Sequence, residues 1–388
     1  MKKISAIVLV CLFLPLKVVS GEDSNPLIGG RLQKAIEDFL VENSGVPGVM
    51  VSIQSEKLGI YWSGAAGFAD IEAQVPIKAR QPLRLASTTK TYIAAAILRL
   101  VELNQIELDS GISQYLPVSQ VQLFENDGYN LGAITVRHVL THVSGLWDFA
   151  QGNSSFAEMV RADPSHKWSR IEQLQHAVTH GEPLGRPGEA LHYSDTGYIL
   201  LGEIIEQRSG QGLAQALRTL LKFDQLGMYS TWLENLESKP KTVLPRVHQY
   251  YGKLDITDFD PSFDLYGGGG LVANMEDLST FFAALFNGRI YSNSETLTTM
   301  LTSVIPDKGG PMSVTIYGRE HQYCLGIYAS QYKGYTVFEH GGFWGTVGGY
   351  VPAFDLSFGV AVNQNIPKGT HRDLFEKLLS IIIEETAA

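Results

Sequence analysis

The chain has 388 residues, of which 44% are hydrophobic and 18% are charged, and its formal net charge is −10. This balance is that of a globular protein rather than a disordered or fibrous one, and the length favours two subdomains around a shared interior. An acidic surface repels phosphate backbones and no basic stripe is present, so the composition argues against a nucleic-acid partner.

The first residues have the pattern of a secretory signal. Two lysines precede an apolar run over 4–16, and small residues follow at 20–21. This order predicts a signal peptide over 1–21 and an exported protein, periplasmic or secreted. The run is shorter than the about 20 apolar residues that cross a bilayer, so we expect no stable membrane span. An uncleaved anchor is the alternative.

The two cysteines predict no disulfide within the mature chain. Cys11 lies inside the predicted signal rather than at its cleavage junction, which also argues against a lipid anchor. Processing would leave Cys324 alone, in surroundings that resemble a buried strand.

The elements can be predicted in chain order from the spacing of apolar residues. A helical pattern covers 32–43, strand-like runs follow over 48–55 and 60–69, and a strongly apolar helix covers 88–103. The middle of the chain has helical patterns over 135–141, 169–180, 196–207 and 213–221. The last third has strand-like runs over 323–330, 335–342, 347–354 and 356–364, and a final helix over 372–385.

Strands at both ends of the chain with helices between them predict an α/β fold. We expect one antiparallel sheet, flanked by the N- and C-terminal helices and built from about 22–104 and 266–388. An all-helical subdomain would be inserted over about 105–265. An active site would then lie in the groove between the two parts.

Ser87 and Lys90 form the strongest local motif, because residues three apart on a helix share one face. A serine hydroxyl becomes nucleophilic when a neighbouring base accepts its proton, and a lysine can be that base if its pKa is lowered. Because this spacing is common by chance, the pair read alone favours a helix-capping serine and an ordinary surface lysine.

Two further motifs could complete a catalytic site. Tyr193 precedes Ser194 and Asp195, and a phenol beside a lysine can transfer protons. Near the end of a predicted strand lies the run His340-Gly341-Gly342-Phe343, where glycines would let a substrate lie along the strand. Read alone, the first is a packing tyrosine with a helix cap, and the second is a strand-end turn.

Together and in this order, the three motifs resemble the superfamily of serine β-lactamases and penicillin-binding proteins. Within it they look like the branch of class C β-lactamases and D-Ala-D-Ala carboxypeptidases. The segments over 135–146 and 267–282 also resemble that branch, and the resemblance covers about 32–383. It implies a β-lactamase/transpeptidase-like fold for the domain over 22–388.

The resemblance implies roles for individual residues. Ser87 would form an acyl-enzyme, while Lys90 and Tyr193 exchange its proton with the leaving group. The backbone N–H groups of Ser87 and Phe343 would form the oxyanion hole, and His340 would stand where β-lactamases carry a lysine that helps bind a carboxylate. Asp195, a candidate substrate-binding residue, replaces the asparagine of many relatives: it would either face Lys90 and oppose its role as a base, or turn away as a helix cap.

The expected function is therefore that of an exported serine hydrolase that cleaves an amide or peptide bond without a cofactor. A D-Ala-D-Ala carboxypeptidase or D-amino-acid peptidase is favoured. A carboxylesterase, a class C-like β-lactamase and a non-catalytic sensor are the alternatives. The expected partner is a small peptide, ester or β-lactam substrate, and the oligomeric state stays open. Two histidine pairs, 138/142 and 176/180, lack the acid of a zinc motif, so no metal is expected.

Overall fold

The computed structural model describes residues 26–303, 313–316, 319–365 and 370–387. The signal peptide predicted over 1–21, with Cys11, lies outside the described residues. Within them, no helix is both long enough and apolar enough to cross a membrane.

The helices of the described residues are eleven in number. They are α1 (Pro26–Glu42), α2 (Thr89–Glu102), α3 (Val118–Glu125), α4 (Val136–Leu140), α5 (Ser155–Ala162), α6 (Arg170–His180), α7 (Asp195–Ser209), α8 (Leu213–Leu220), α9 (Met275–Phe286), α10 (Ser294–Met300) and α11 (Thr370–Ala387).

The strands occur mainly at the two ends of the described chain. They are β1 (Gly48–Ser55), β2 (Ile60–Asp70), β3 (Val75–Pro76), β4 (Leu83–Arg84), β5 (Trp232–Leu233), β6 (Tyr250–Tyr251), β7 (Leu254–Asp255), β8 (Leu271–Ala273), β9 (Ser313–Ile316), β10 (Arg319–Tyr323), β11 (Tyr328–Tyr332), β12 (Tyr335–Gly342), β13 (Thr346–Val351), β14 (Leu356–Val362) and β15 (Gln364–Asn365).

The main sheet has nine antiparallel strands in the order β3-β2-β1-β14-β13-β12-β11-β10-β9. Strands from the two ends of the chain meet where β1 pairs with β14. The side chains of β1 alternate between two cores: Val49 and Val51 pack with α1 and α11, whereas Met50 packs with α2 and α9. The predicted α/β fold, with terminal helices on an antiparallel sheet, is therefore confirmed.

The middle of the chain is mainly helical and packs against α2, which is buried on nearly all sides. Two small sheets add to it, in the orders β4-β8-β5 and β15-β6-β7. The first ends beside the start of α2, and the second lies at the edge of the groove. Helix α2 therefore stands between the main sheet and the helical part, as its uninterrupted apolar run predicts.

The prediction of one strand over 323–330 is wrong, because the chain turns between β10, which ends at Tyr323, and β11, which begins at Tyr328. Cys324 N–H donates to the Ile327 carbonyl at 2.8 Å, and Gly326 has a φ of 74°. A Cβ at Gly326 would collide with Ala94 on α2. The turn depends on this glycine, and Cys324 is buried in it as a free thiol.

Two glycines on neighbouring strands allow α9 to approach the sheet closely. Gly348 of β13 pairs with Gly359 of β14. A Cβ at Gly348 would lie 2.6 Å from the Phe282 ring, and one at Gly359 would lie 2.7 Å from the Met275 carbonyl oxygen. Both distances are below van der Waals contact, so this face of the sheet has no room for a methyl group.

We expect Gly348→Ala to lower the free energy of unfolding by about 1–3 kcal/mol, because an added methyl group overpacks this contact. Gly30→Ala is the matched control, since a Cβ at Gly30 on α1 has open space around it. It should raise stability by about 0.5–1 kcal/mol. Urea denaturation of the three proteins checks both values. Equal effects of the two substitutions would contradict the close packing of α9.

Candidate active site

Ser87 lies in a short 3₁₀ turn that leads directly into α2. The preceding Ala86 has a φ of 47°, in the left-handed region that residues other than glycine rarely adopt. The chain therefore turns sharply just before the serine. Thr346 Oγ1 holds this turn on the sheet by donating to the Leu85 carbonyl at 2.9 Å.

Lys90 lies on the first turn of α2 and its side chain is fully buried. Its Nζ donates to Ser87 Oγ at 3.0 Å and to the Gly268 carbonyl at 2.6 Å, and it forms an ion pair with Asp195. Two of the three N–H donors of the lysine ammonium thus have hydrogen-bond acceptors, and the Asp195 carboxylate supplies the opposite charge. Lys90 therefore acts in this structure as a donor to the serine oxygen.

Tyr193 is the second polar side chain beside Ser87, and the two hydroxyl groups interact. The Lys90 Nζ lies 5.0 Å from the centroid of the tyrosine ring. Burial, followed by the negative charge of Asp195, raises the pKa of Tyr193 well above its ordinary value. The tyrosine is thus a neutral phenol near neutral pH, which can accept one proton while it donates another.

Asp195 faces the lysine, which decides between the two orientations that the sequence left open. Ser194 Oγ is the cap of α7 and accepts from Gly197 N–H at 3.4 Å. The Asp195 carboxylate is instead paired with Lys90 and lines the cavity in front of Ser87. Its role as a substrate-binding residue stays a prediction.

Two more carboxyl groups accompany Asp195. Burial, and then the charge of Asp195, raises the pKa of Asp148, whose carboxyl also accepts from Ala150 N–H at 2.9 Å. Burial and Asp195 likewise raise the pKa of Asp264 to about 7, although the Lys90 charge acts in the opposite direction. Asp264 and Asp195 both line the cavity. This end of the site is therefore acidic.

The His340-Gly341-Gly342 run lies at the end of β12, beside the Ser87 turn. Thr88 Oγ1 donates to the His340 carbonyl at 3.2 Å. A Cβ at Gly342 would overlap the Leu85 carbonyl oxygen, so the close approach of this strand to the Ser87 turn requires a glycine. The structure thus brings the third motif next to the first.

The His340 ring lies inside the protein, with 1% of the residue exposed. Nδ1 is 2.8 Å from the Gly341 carbonyl oxygen and Nε2 is 3.4 Å from Tyr323 Oη. Burial, and then the Lys90 charge, lowers the pKa of His340 to about 3. The ring is therefore neutral, and it does not line the cavity. Its predicted contact with a substrate carboxylate would require the ring to move.

The cavity in front of Ser87 has a volume of about 180 Å³. Apart from Asp195, Asp264, Gln151 and Arg161, its walls are mainly apolar. Phe343 and Tyr251 stack at its mouth with ring centroids 6.0 Å apart, and both are nearly half exposed. The aromatic side chains that line it are Phe149, Phe156, Tyr251, Phe259, Phe263, Phe343 and Trp344. Ser87 and Phe343, whose N–H groups were predicted to bind the oxyanion, both lie on this wall.

The two histidine pairs noted in the sequence have structural contacts. His138 Nδ1 accepts from Thr135 N–H at 3.2 Å at the start of α4. His176 and His180 stack with ring centroids 4.0 Å apart. Across the described ranges, no group of three His, Cys, Asp or Glu side chains is arranged to hold a metal ion.

The comparison with known families agrees with the geometry. A family model described as β-lactamase matches residues 33–381. The chain belongs to the β-lactamase family. The resemblance carried by the three motifs is thereby confirmed, and the chain has the fold that β-lactamases and penicillin-binding proteins share.

Relatives within the β-lactamase family differ in activity. A penicillin-binding protein of Bacillus subtilis (strain 168) is 26% identical over 257 residues, which are 61% of this chain and 51% of that protein. Esterase EstB of Burkholderia gladioli is 30% identical over 206 residues, 52% of this chain and 50% of that protein. The chain thus spans about half the length of these curated relatives.

A solved structure shows the same fold over nearly the whole chain. The D-amino acid amidase of Ochrobactrum anthropi SV3, complexed with L-phenylalanine amide, is similar with a TM-score of 0.77. The similarity covers 92% of this chain and 99% of that one at 23% identity. At this identity the comparison shows the fold alone.

The sequence patterns did not reveal several residues of the site. Asp148 lies in an irregular segment, Asp264 ends a short 3₁₀ helix and Tyr323 ends a strand, so none has a motif of its own. The one sequence feature that could have pointed to Asp264 is the run of four glycines over 267–270, which follows it closely. A Cβ at Gly268 would lie 3.2 Å from the Asp195 carboxylate, and one at Gly269 would overlap that of Asp264. The run passes between the two acids.

We expect Ser87→Ala to abolish covalent labelling by a fluorophosphonate, since the nucleophile is removed. Lys90→Met should slow labelling by about 10²–10³-fold, because the serine oxygen loses the buried ammonium that stabilises its developing negative charge. Ser144→Ala is the control, since Ser144 is a buried serine whose Oγ accepts from Leu146 N–H at 3.3 Å. Intact mass spectrometry follows the adduct. An adduct that persists in Ser87→Ala would exclude Ser87 as the nucleophile.

Proposed function

We propose that this protein hydrolyses the amide bond of D-amino-acid derivatives that carry a free amino group and a large apolar side chain. The observation that carries the proposal is the pairing of an apolar cavity with an acidic end beside Ser87. We also propose that the protein is exported, on the strength of the charge and apolar pattern over 1–21.

The size and lining of the cavity favour an apolar side chain. Its volume of about 180 Å³ is larger than the roughly 150 Å³ cavity that accommodates a benzene ring in another protein. Phe156, Phe259 and Phe263 contribute aromatic walls. A benzyl or isobutyl group would therefore fit in the cavity and exclude water from the apolar walls.

The charges around the cavity favour an amine over a carboxylate. Asp195 and Asp264 line it, whereas Arg161 is its one lining lysine or arginine among the described residues and is exposed. Lys90 is already paired with Asp195, and His340 is neutral and buried. A substrate carboxylate beside Ser87 would face the carboxyl groups of Asp195 and Asp264, while an ammonium would meet an acceptor at Asp264. This argues against a carboxypeptidase.

The proposed mechanism uses the two polar side chains beside Ser87, those of Lys90 and Tyr193. As Ser87 Oγ attacks the amide carbonyl, its proton passes to Tyr193, and the phenol proton of Tyr193 passes to the leaving nitrogen. The Lys90 ammonium, 3.0 Å from Oγ, stabilises the negative charge that develops on the serine oxygen. The C–N bond breaks to release the amine, and water cleaves the acyl-serine by the reverse proton path.

An esterase is the second candidate, because EstB is a relative and an ester makes smaller demands on leaving-group protonation. The exposed Phe343 and Tyr251 at the cavity mouth would suit an apolar alcohol group. Amide and ester forms of the same D-amino acid distinguish the two candidates.

D-Phenylalanine amide should be hydrolysed faster than N-acetyl-D-phenylalanine amide by about 10- to 100-fold in kcat/KM. The reason is that a hydrogen bond to a charged group contributes about 1.5–3 kcal/mol. Asp264→Asn should lower the rate with the free amine and leave the acetylated amide unaffected. Asp258→Asn is the control, because Asp258 lies on the same loop but is exposed and outside the cavity lining. Measured release of ammonia follows each reaction. Faster hydrolysis of the acetylated amide, or of an acetylated D-Ala-D-Ala peptide, would contradict the proposal.

The kcat/KM for D-phenylalanine amide should fall as the pH drops below about 7. The binding form of Asp264 is the carboxylate, and its raised pKa of about 7 means that it gains a proton in this range. Protonation removes the attraction for the ammonium, so affinity is lost as the pH falls below 7, where the substrate amine, with an ordinary pKa of about 8, keeps its own proton. A pH profile of wild type and Asp264→Asn checks this. If kcat/KM falls below pH 7 in the same way in both proteins, the loss is caused by a group other than Asp264.

A further inference from the structure

A buried chain of hydrogen bonds connects the second motif of the site to the third. Ser194 N–H donates to His142 Nδ1 at 3.1 Å, and His142 Nε2 lies 3.1 Å from Tyr323 Oη. Tyr323 Oη lies 3.4 Å from His340 Nε2, and His340 Nδ1 lies 2.8 Å from the Gly341 carbonyl oxygen. The three residues whose side chains form this hydrogen-bonded chain, His142, Tyr323 and His340, are each about 1% exposed.

The direction of each hydrogen bond follows from the groups at the two ends. Because Ser194 N–H is a donor, His142 Nδ1 is an acceptor and the proton of this neutral ring is on Nε2. Because the Gly341 carbonyl is an acceptor, the His340 proton is on Nδ1 and its Nε2 must accept. His142 therefore donates to Tyr323, and Tyr323 donates to His340.

A competing partner of Tyr323 does not reverse this direction. Tyr198 Oη is 3.4 Å from Tyr323 Oη, but it donates its own hydrogen to the Leu140 carbonyl at 2.9 Å. If Tyr323 donated to Tyr198, the buried Nε2 of His340 would lose its hydrogen bond, at a cost of about 1–3 kcal/mol. The donation to His340 leaves every group of the chain paired.

Two rings of the hydrogen-bonded chain also pack against the ring of Tyr193. The His142 ring packs on Tyr193 with centroids 4.2 Å apart, and Tyr193 precedes the Ser194 whose N–H begins the chain. The Tyr323 ring contacts Tyr193 edge-on at 6.5 Å. At its other end, the chain finishes on Gly341, two residues before the backbone N–H of Phe343.

We propose that His142 and Tyr323 are positioning residues, which keep Tyr193 and the Gly341–Phe343 backbone in one arrangement around Ser87. Neither touches the substrate. Their hydrogen bonds set the orientation of the proton-transferring phenol relative to the strand end that would bind the oxyanion. The inference holds for any substrate that acylates Ser87, so it does not depend on the D-amino-acid amide proposed above.

Two substitutions interrupt the chain with little change of shape. Tyr323→Phe removes one hydroxyl and keeps the ring. His142→Asn suits a backbone φ of 58°, because asparagine tolerates the left-handed region, and its side-chain oxygen can still accept from Ser194 N–H. It lacks the donor to Tyr323. Tyr328→Phe is the matched control: Tyr328 packs on the same two rings, 4.5 Å from Tyr323 and 5.1 Å from His340, outside the hydrogen-bonded chain.

The test uses the whole protein with p-nitrophenyl butyrate, a neutral ester without an amine. Tyr323→Phe and His142→Asn should each lower kcat by about 10- to 100-fold, as misplaced catalytic groups do, with KM within about twofold of wild type. The double variant should be no slower than the slower single one, since either change interrupts the same chain. Tyr328→Phe should keep the wild-type kcat.

Two results would overturn the proposal. One is a wild-type kcat in Tyr323→Phe, or a loss in Tyr328→Phe as large as in Tyr323→Phe, because both show that the hydroxyl of Tyr323 has no special role. The other comes from nitrogen NMR of the histidine rings. We expect Nε2–H for His142 and Nδ1–H for His340 from pH 5 to 8, with the His142 signal moving in Tyr323→Phe. A proton on Nδ1 of His142 or on Nε2 of His340 would exclude the proposed direction of the hydrogen bonds, whatever the substrate proves to be.

Discussion

The ammonium group of Lys90 is the buried charge around which the site is organised. A lysine placed inside a protein has to satisfy its three donors, because an unpaired buried charge costs several kcal/mol. Here the partners come from three distant segments: Ser87 before α2, Gly268 in the glycine run and Asp195 at the start of α7. Pairing one side chain therefore brings Ser87, the glycine run and the second motif to one point.

Helix α2 makes this arrangement possible because it lies between the sheet and the helical part of the chain. Its apolar faces pack on both, so that Lys90 enters an interior that contains little water. The start of α2 remains at the boundary of the two parts, where Ser87 meets the cavity. The same burial that stabilises the helix thus excludes solvent from the lysine and leaves the serine accessible.

The two sides of the site differ in charge. On one side, His142 and His340 are buried and neutral, since burial and the Lys90 charge lower the pKa of both rings. On the other, Asp148, Asp195 and Asp264 repel one another, and burial with this repulsion raises the pKa of Asp148 and Asp264. The neutral side can hold hydrogen bonds of fixed direction, whereas the acidic side can respond to a positive substrate group.

The amino-acid sequence by itself determined several of the elements and the first two candidate residues of the site. Apolar spacing identified α2 and the strands β1, β12 and β14, and the three-residue spacing of Ser87 and Lys90 placed both on one helical turn, because such patterns are local. The same local reading failed over 323–330, where a turn depends on contact between Gly326 and Ala94 of another element.

Only the tertiary structure decided which other residues share the site. Asp264 and Tyr323 have no motif, and they are separated from Ser87 by 177 and 236 residues of sequence. The sequence also left open whether Asp195 faces Lys90, and it suggested a carboxylate ligand in His340, whose ring the structure places in the interior. Charge state and orientation depend on burial and on partners from distant segments, and those are established only when the sheet, α2 and α7 pack together.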